Sequence, residues 1–174
     1  ICQTAYKIER IDHKIQGGWQ DHYSTAYGGF NLIDFTKNDV LVTPLKLRND
    51  IFLELEYCTK YYRYGKIRNS SDIHKGILEN YSNLQIKKYS KQMLAITNLL
   101  KDNLLKGNLT EFGKLLNDTW KLKKMMNNKV TTSKLNSIYA EAVKNGALGG
   151  KLLGAGESGY IMLFVPYKYQ SNSF

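Results

Sequence analysis

With 174 residues, 43% of them hydrophobic, the chain is long enough for one domain, or for one domain and part of another. No apolar run approaches the ~20 residues that cross a bilayer, and Cys2 and Cys58 are too few for a disulfide framework, which together favour a reducing cytoplasm. The net charge of +10 permits nucleic-acid binding, but the excess is mostly scattered lysine, so we interpret it as a solvated basic face that would equally suit a small anionic substrate.

The first residues predict the end of a helix. Apolar residues recur there at helical spacing, at Ala5, Ile8, Ile11 and Ile15. We therefore expect a helix over residues 3–15. Because the chain starts with Ile inside this pattern, we also expect the sequence to be cut from a larger protein, with further motifs preceding Ile1.

The next segment contains one carboxylate residue, Asp21, between the glycine pairs Gly17-Gly18 and Gly28-Gly29. Gly17-Gly18 leads into Trp19-Gln20-Asp21-His22-Tyr23, which predicts a short helix from Asp21 to Tyr27, and Gly28-Gly29 ends it. Asp21 lies in the first turn of this helix and is a candidate for chemistry. The alternative is that Asp21 is only a helix cap, and the local pattern by itself favours that interpretation.

The pattern after Gly29 predicts strands. Phe30–Phe35 and Val40–Leu47 are expected to pair across a polar turn, and alternation predicts a further strand over Phe52–Cys58. Residues 61–71, which include Arg68, are predicted to form a loop that leads into a helix capped by Ser70 or Ser71.

Three stretches with helical periodicity follow, and we interpret their apolar faces as core. They run from Met93 to Leu105, from Leu109 to Trp120 and from Leu135 to Val143. Gly107-Asn108 separates the first two, a Thr131-Thr132-Ser133 cap opens the third, and Asn145-Gly146 closes it.

The stretch from Ala147 to Gly159 is rich in glycine and precedes an apolar strand that starts at Tyr160. A glycine-rich loop lets the backbone approach a ligand, and its consecutive N–H groups can cradle an anion. The alternative is a tight strand-loop-strand connection whose glycines serve only positive φ angles. The stretch matches neither a P-loop nor a dinucleotide-binding loop, because the GxxxxGK[ST] pattern is absent and a strand follows it instead of a helix.

The two glycine-flanked segments together resemble motifs of the GHMP kinases. The stretch from Gly17 to Asn31 is similar to the catalytic-aspartate segment of that superfamily, and Gly150–Gly159 is similar to its third, C-terminal glycine motif. Within the superfamily, the chain is similar to the D-glycero-D-manno-heptose 7-phosphate kinases. The segments that carry this likeness are Asp21–Phe35, Val42–Leu45, Trp120–Lys123 and Gly149–Leu153.

The resemblance implies an ATP- and Mg²⁺-dependent kinase that phosphorylates the anomeric hydroxyl of a heptose 7-phosphate, on the way to nucleotide-activated heptose for a bacterial surface polysaccharide. It implies that Asp21 faces the attacking hydroxyl as a general base or orienting group. The implied loop beside substrate and phosphates consists of Gly154, Ala155, Gly156, Ser158 and Gly159. Further candidates for substrate binding are Gly17, Gly18, Gln20 and Arg68, with a surface ion pair as the open alternative for Arg68.

The implied fold is α+β in two parts. Residues 1–48 would be the C-terminal end of the GHMP kinase N-terminal domain with the catalytic segment, and residues 49–174 a ferredoxin-like C-terminal domain. The superfamily's phosphate-cradling loop and its Mg²⁺-holding acidic residue are absent from this sequence, so we expect both to precede Ile1 and the chain alone to be inactive. Glu157 and Ser158 stand where the family more often has glycine.

The expected ligands are a sugar phosphate and ATP, and we expect neither a membrane nor nucleic acid as a partner. A homodimer is a possible assembly. The histidines and cysteines show no metal-ligand spacing, so we expect no metal ligands in this chain.

Two alternative functions also stay open. One is a GHMP kinase that acts on another sugar, such as fucose or a galactose-like sugar. The other is a non-catalytic basic binding module that kept the fold.

Overall fold

The computed structural model describes residues 1–15, 17–65, 84–156 and 158–170. The chain divides into two compact units, Ile1–Arg48 and Asn49–Phe174. Both units combine helices with antiparallel strands, which confirms the predicted α+β class. Among the described residues, no helix has the length and apolar character needed to cross a membrane.

The first unit consists of two helical segments and a hairpin. Helix α1 (Cys2–Tyr6) continues as a π-helical segment (Lys7–Asp12), and helix α2 spans Gln20–Tyr27. Gly28, with φ +62°, ends α2 as predicted, because this left-handed conformation is favourable for glycine. Strands β1 (Asn31–Phe35) and β2 (Val40–Pro44) then pair antiparallel, with Ile33 opposite Val42.

The second unit contains a three-stranded antiparallel sheet and four helices among its described residues. Helix α3 (Asn49–Cys58) leads into strand β3 (Thr59–Tyr64). The helices that follow are α4 (Leu84–Lys106), α5 (Leu109–Met126) and α6 (Ser133–Lys144). Strands β4 (Gly149–Gly156) and β5 (Ser158–Phe164) complete the sheet, whose order is β3-β5-β4.

The strand predicted over Phe52–Cys58 is wrong, because this segment is part of helix α3. The buried residues of α3 are Ile51, Leu55 and Cys58, which recur at helical spacing. Of the bulky residues that suggested alternation, Leu55 is buried, but Phe52, Leu53 and Tyr57 are 40%, 52% and 52% exposed. The strand follows directly, at β3, and its residues 61–64 lie in the stretch predicted to be a loop.

The core of the second unit lies between the sheet and helices α5 and α6. Its members are Trp120, Val130, Leu135, Tyr139, Ala142, Ala147, Leu152, Ile161, Leu163 and Val165. The predicted faces of α5 and α6 supply much of this cluster. The predicted face of α4 is wrong in part, since Leu94 and Leu99 are 60% and 49% exposed, whereas Leu104 is buried.

Candidate active site

Asp21 lies in the first turn of α2 with its side chain exposed. The helix begins one residue earlier, at Gln20; its N-cap is Trp19, and no side chain caps it. The interpretation of Asp21 as the helix cap is therefore wrong. Its carboxylate makes neither a hydrogen bond nor an ion pair with any other residue that the structure describes, and only its backbone carbonyl accepts a bond, from Ser24 Oγ at 3.1 Å. The carboxylate is thus available for an external hydroxyl, and its place at a helix N-terminus favours negative charge.

The two glycines before α2 differ in their surroundings. A Cβ at Gly17 would lie 2.4 Å from the guanidinium carbon of Arg10, so a side chain there would displace that group. A Cβ at Gly18 would meet no atom within 4 Å. A side chain at Gly17 would therefore have to move the flexible end of Arg10, whereas Gly18, two residues before the exposed Gln20, has open space around it.

Sequence reasoning missed a close polar contact made by the residue next to Asp21. His22, the next residue, is buried, and its Nε2 lies 2.7 Å from Glu9 Oε2 on the π-helical segment. The two atoms are close, but neither ring nitrogen of His22 makes an aligned hydrogen bond to another described residue, and the contact is an ion pair only when the ring is protonated. Arg10 approaches the same carboxylate at 3.5 Å. The only signal in the sequence was that two short helices joined by a glycine turn would bring such residues together.

The predicted glycine-rich loop of the second unit is largely strand. Gly154, Ala155 and Gly156 end β4, and Ser158 and Gly159 begin β5, with Gly156 paired to Ser158 and an irregular register between Leu153 and Gly156. A Cβ at Gly159, whose φ is +133°, would lie 2.4 Å from the carbonyl oxygen of Leu153. This close approach and the positive φ explain why position 159 is glycine.

Two half-buried lysines lie beside this hairpin. Burial lowers the pKa of Lys151 on β4, and the pKa of Lys123 on α5 is lowered by burial and by the charge of Lys151. Nearby, Tyr139 of α6 donates its hydroxyl to Asn117 Oδ1 at 3.1 Å and to the Gly150 carbonyl at 3.3 Å. Burial raises the pKa of Tyr139 to about 12. The lysines add positive potential to the strand that runs into Gly154.

The candidate residues fall into two groups. Asp21, Gly17, Gly18 and Gln20 lie in the first unit, and the 154–159 segment lies in the second. Arg68 and Glu157 lie outside the described residues. The described part of the chain gathers no group of three or more His, Cys, Asp or Glu side chains that could hold a metal ion.

The sequence is similar to a family model and to proteins of known name. Residues 100–168 match the family model described as GHMP kinases C terminal. The chain is 37% identical, over 95% of its length, to a D-glycero-alpha-D-manno-heptose 7-phosphate kinase of Campylobacter jejuni. It is 29% identical, over 94% of its length, to an L-fucokinase/L-fucose-1-P guanylyltransferase of Bacteroides fragilis.

The fold is shared with a solved structure as well. The crystal structure of a D-glycero-D-manno-heptose 1-phosphate kinase from Bacteroides thetaiotaomicron superposes with a TM-score of 0.67 at 30% identity, covering 98% of this chain and 45% of that one. The chain covers 49% of the Campylobacter heptose kinase and 18% of the Bacteroides fragilis protein. It thus spans about half the length, or less, of the relatives it matches.

Proposed function

Because this chain belongs to the GHMP kinase superfamily, we propose that the protein containing it is an ATP-dependent kinase that phosphorylates the anomeric hydroxyl of D-glycero-D-manno-heptose 7-phosphate. The observation that supports this most is Asp21, an exposed carboxylate without a partner among the described residues, in the segment that resembles the family's catalytic-aspartate motif. The 1,7-bisphosphate product would feed nucleotide-activated heptose for a surface polysaccharide, and the reaction would take place in the cytoplasm.

In the proposed reaction, Asp21 accepts or orients the proton of the anomeric hydroxyl while the hydroxyl oxygen attacks the γ-phosphorus of ATP. The new O–P bond forms as the bond to the β-phosphate oxygen breaks, and ADP leaves. Phosphoryl transfer depends mostly on positioning and charge stabilisation, so a weakly basic carboxylate suffices. The net charge of +10 suits the anionic substrates.

The assignment of residues 1–48 to the end of an N-terminal kinase domain, and of residues 49–174 to the C-terminal domain, belongs to the same proposal. So do the substrate-side roles of Gly18, Gln20 and the 154–159 segment. Mg²⁺ is the metal we propose for the whole enzyme, with most of its ligands supplied from outside this chain.

A phosphoryl-transfer assay on the full-length protein tests the proposal. A panel of D-glycero-D-manno-heptose 7-phosphate, fucose and galactose separates the heptose kinase from a kinase of another sugar, an alternative that the likeness to the Bacteroides fragilis fucokinase favours. We expect Asp21→Asn to lower kcat by at least about a hundredfold with unchanged folding, since general-base catalysis contributes about 10²–10⁴. Full activity in that variant would contradict the role of Asp21.

The non-catalytic alternative has its own signature. A basic binding module would show no transfer to any sugar of the panel and would bind RNA with an affinity that falls steeply with salt. That pair of results would replace the kinase proposal.

A further inference from the structure

The residue that follows Asp21 points away from solvent. Asp21 is exposed, whereas the side chain of His22 is only 6% exposed and meets Glu9, a residue of the π-helical segment Lys7–Asp12. Successive helix residues lie about 100° apart around the axis, so neighbouring residues can present one side chain to solvent and bury the next. A contact made by His22 therefore acts on the helix turn that carries Asp21.

Ring contacts join the same two helical segments beside the Glu9–His22 contact. Tyr6 and Trp19 stack with ring centroids 3.6 Å apart and planes 4° from parallel. Tyr6 also meets the His22 ring edge-on, at 5.6 Å and 67°. The first turn of α2 is thus held against the preceding helix by Trp19 and His22, the two residues on either side of Gln20-Asp21.

Helix α2 needs such support. It has eight residues, and no side chain caps its N-terminus. Isolated helices of this length are unstable in water, so its order depends on packing. The Asp21 carboxylate has no anchor of its own among the described residues, and its position follows that of the helix.

We propose that the Glu9–His22 pair positions Asp21 for phosphoryl transfer, an inference that rests on the proposed kinase function. His22 is a positioning residue that acts through the first turn of α2, and it does not touch the reacting atoms. The Glu9 carboxylate has two neighbours, His22 Nε2 at 2.7 Å from Oε2 and the Arg10 guanidinium at 3.5 Å from Oε1, and the second contact helps to fix the carboxylate that His22 meets. Small displacements of a catalytic group cost large factors in rate, up to about a hundredfold for 1 Å.

Two substitutions of His22 distinguish its polar contact with Glu9 from the packing of its ring against Tyr6. His22→Phe keeps a ring beside Tyr6 but removes both nitrogens, whereas His22→Gln keeps a polar N–H group able to meet Glu9. Glu111→Gln is the matched control, since it weakens an exposed ion pair of 3.2 Å with Lys114 in the second unit. All variants are made in the full-length protein and assayed with D-glycero-D-manno-heptose 7-phosphate and ATP.

The expected result is a loss in kcat without a matching rise in the sugar KM. His22→Phe lowers kcat about tenfold, whereas His22→Gln keeps at least half of it and Glu111→Gln leaves it unchanged. Adding Glu9→Gln to His22→Phe costs much less than Glu9→Gln costs alone, because the two residues act as one unit. Wild-type kcat in His22→Phe, or fully additive losses in the double variant, overturns the inference.

A second measurement does not depend on turnover. Amide hydrogen exchange over residues 20–27 becomes faster in His22→Phe and stays at the wild-type rate in His22→Gln and Glu111→Gln. If the wild-type protein phosphorylates no sugar, the kinase proposal fails, and the exchange rates still report whether the pair holds α2. Unchanged exchange in His22→Phe means that the contact does not order the helix and overturns the inference by itself.

Discussion

Strand β4 approaches helix α5 so closely at Gly149 that we expect a larger residue there to destabilise the fold. A Cβ added there would lie 2.1 Å from the carbonyl oxygen of Gly113 and 2.6 Å from the backbone nitrogen of Asn117. Both are backbone atoms of α5, so no side-chain rotation can relieve the contact. Because real Cβ contacts essentially never fall below 3.0 Å, Gly149→Ala requires strand and helix to separate there by at least 0.9 Å.

A gap of that size forfeits a quarter to a half of the dispersion energy between the separated atoms. With the overpacking cost of a close-packed interior, we expect Gly149→Ala to lower the free energy of unfolding by about 3 kcal/mol. For a chain of this length, that corresponds to a fall in Tm of about 6–12 °C. The strand that moves is the one that ends in the candidate segment 154–156.

Thermal unfolding followed by circular dichroism, with urea titrations in parallel, measures the effect on the 174-residue chain. Gly113→Ala is the graded comparison, because its Cβ would meet side-chain atoms rather than backbone, Phe164 Cδ1 at 2.6 Å and Leu148 Cβ at 3.0 Å. Gly18→Ala is the neutral control, since its Cβ would meet nothing within 4 Å. The reasoning is refuted if Gly149→Ala unfolds at the wild-type temperature, or loses no more stability than Gly113→Ala.

Three further predictions concern the second unit. The pKa of Tyr139 is raised to about 12 from 10.0, so the contribution of Tyr139 to stability is complete below pH 10 and is lost as the pH rises toward 12. In urea titrations over that interval, the free energy of unfolding of the wild type should fall by about 2 kcal/mol more than that of Tyr139→Phe. Parallel curves for the two proteins would contradict this. Burial lowers the pKa of Lys151, so the charged side chain destabilises the fold at pH 7. Lys151→Met should therefore raise the free energy of unfolding at pH 7, and this gain should shrink as the pH approaches 10.5. A lower free energy of unfolding in Lys151→Met at pH 7 would contradict the prediction. Thr132→Ala removes the hydroxyl that caps α6 at Leu135 N (3.1 Å) and bonds Tyr64 (2.7 Å), and should cost about 1–2 kcal/mol that Thr132→Ser restores.

Local chemistry was enough to predict several elements from the sequence. Helix α2 lies where a glycine pair precedes a helical run and Gly28 ends it, because only glycine readily adopts the left-handed conformation found there. The cap of α6 was equally visible, since Thr132 accepts a hydrogen bond from Leu135 N as a cap residue should. These features depend on residues close together in the chain.

The segment Phe52–Cys58 shows where pattern reading failed. Its bulky side chains alternate along the sequence, but the buried set of Ile51, Leu55 and Cys58 has helical spacing. Which apolar residues are buried is decided by the surface they pack against, and a short amphipathic segment fits both periods. Only the folded unit shows that Leu53 and Tyr57 stay exposed.

For the candidate site, local pattern predicted the helix that carries Asp21 and the glycines that flank it, but it favoured Asp21 as a cap. The catalytic role of Asp21 was predicted only from the resemblance of the segment to the GHMP kinase motif. The tertiary structure decided that Asp21 is not a cap and that His22 behind it meets Glu9. It also decided that Gly149 lies against the backbone of α5. These facts depend on distances between segments separated along the chain, and such distances are set by packing, which no local pattern of residues encodes.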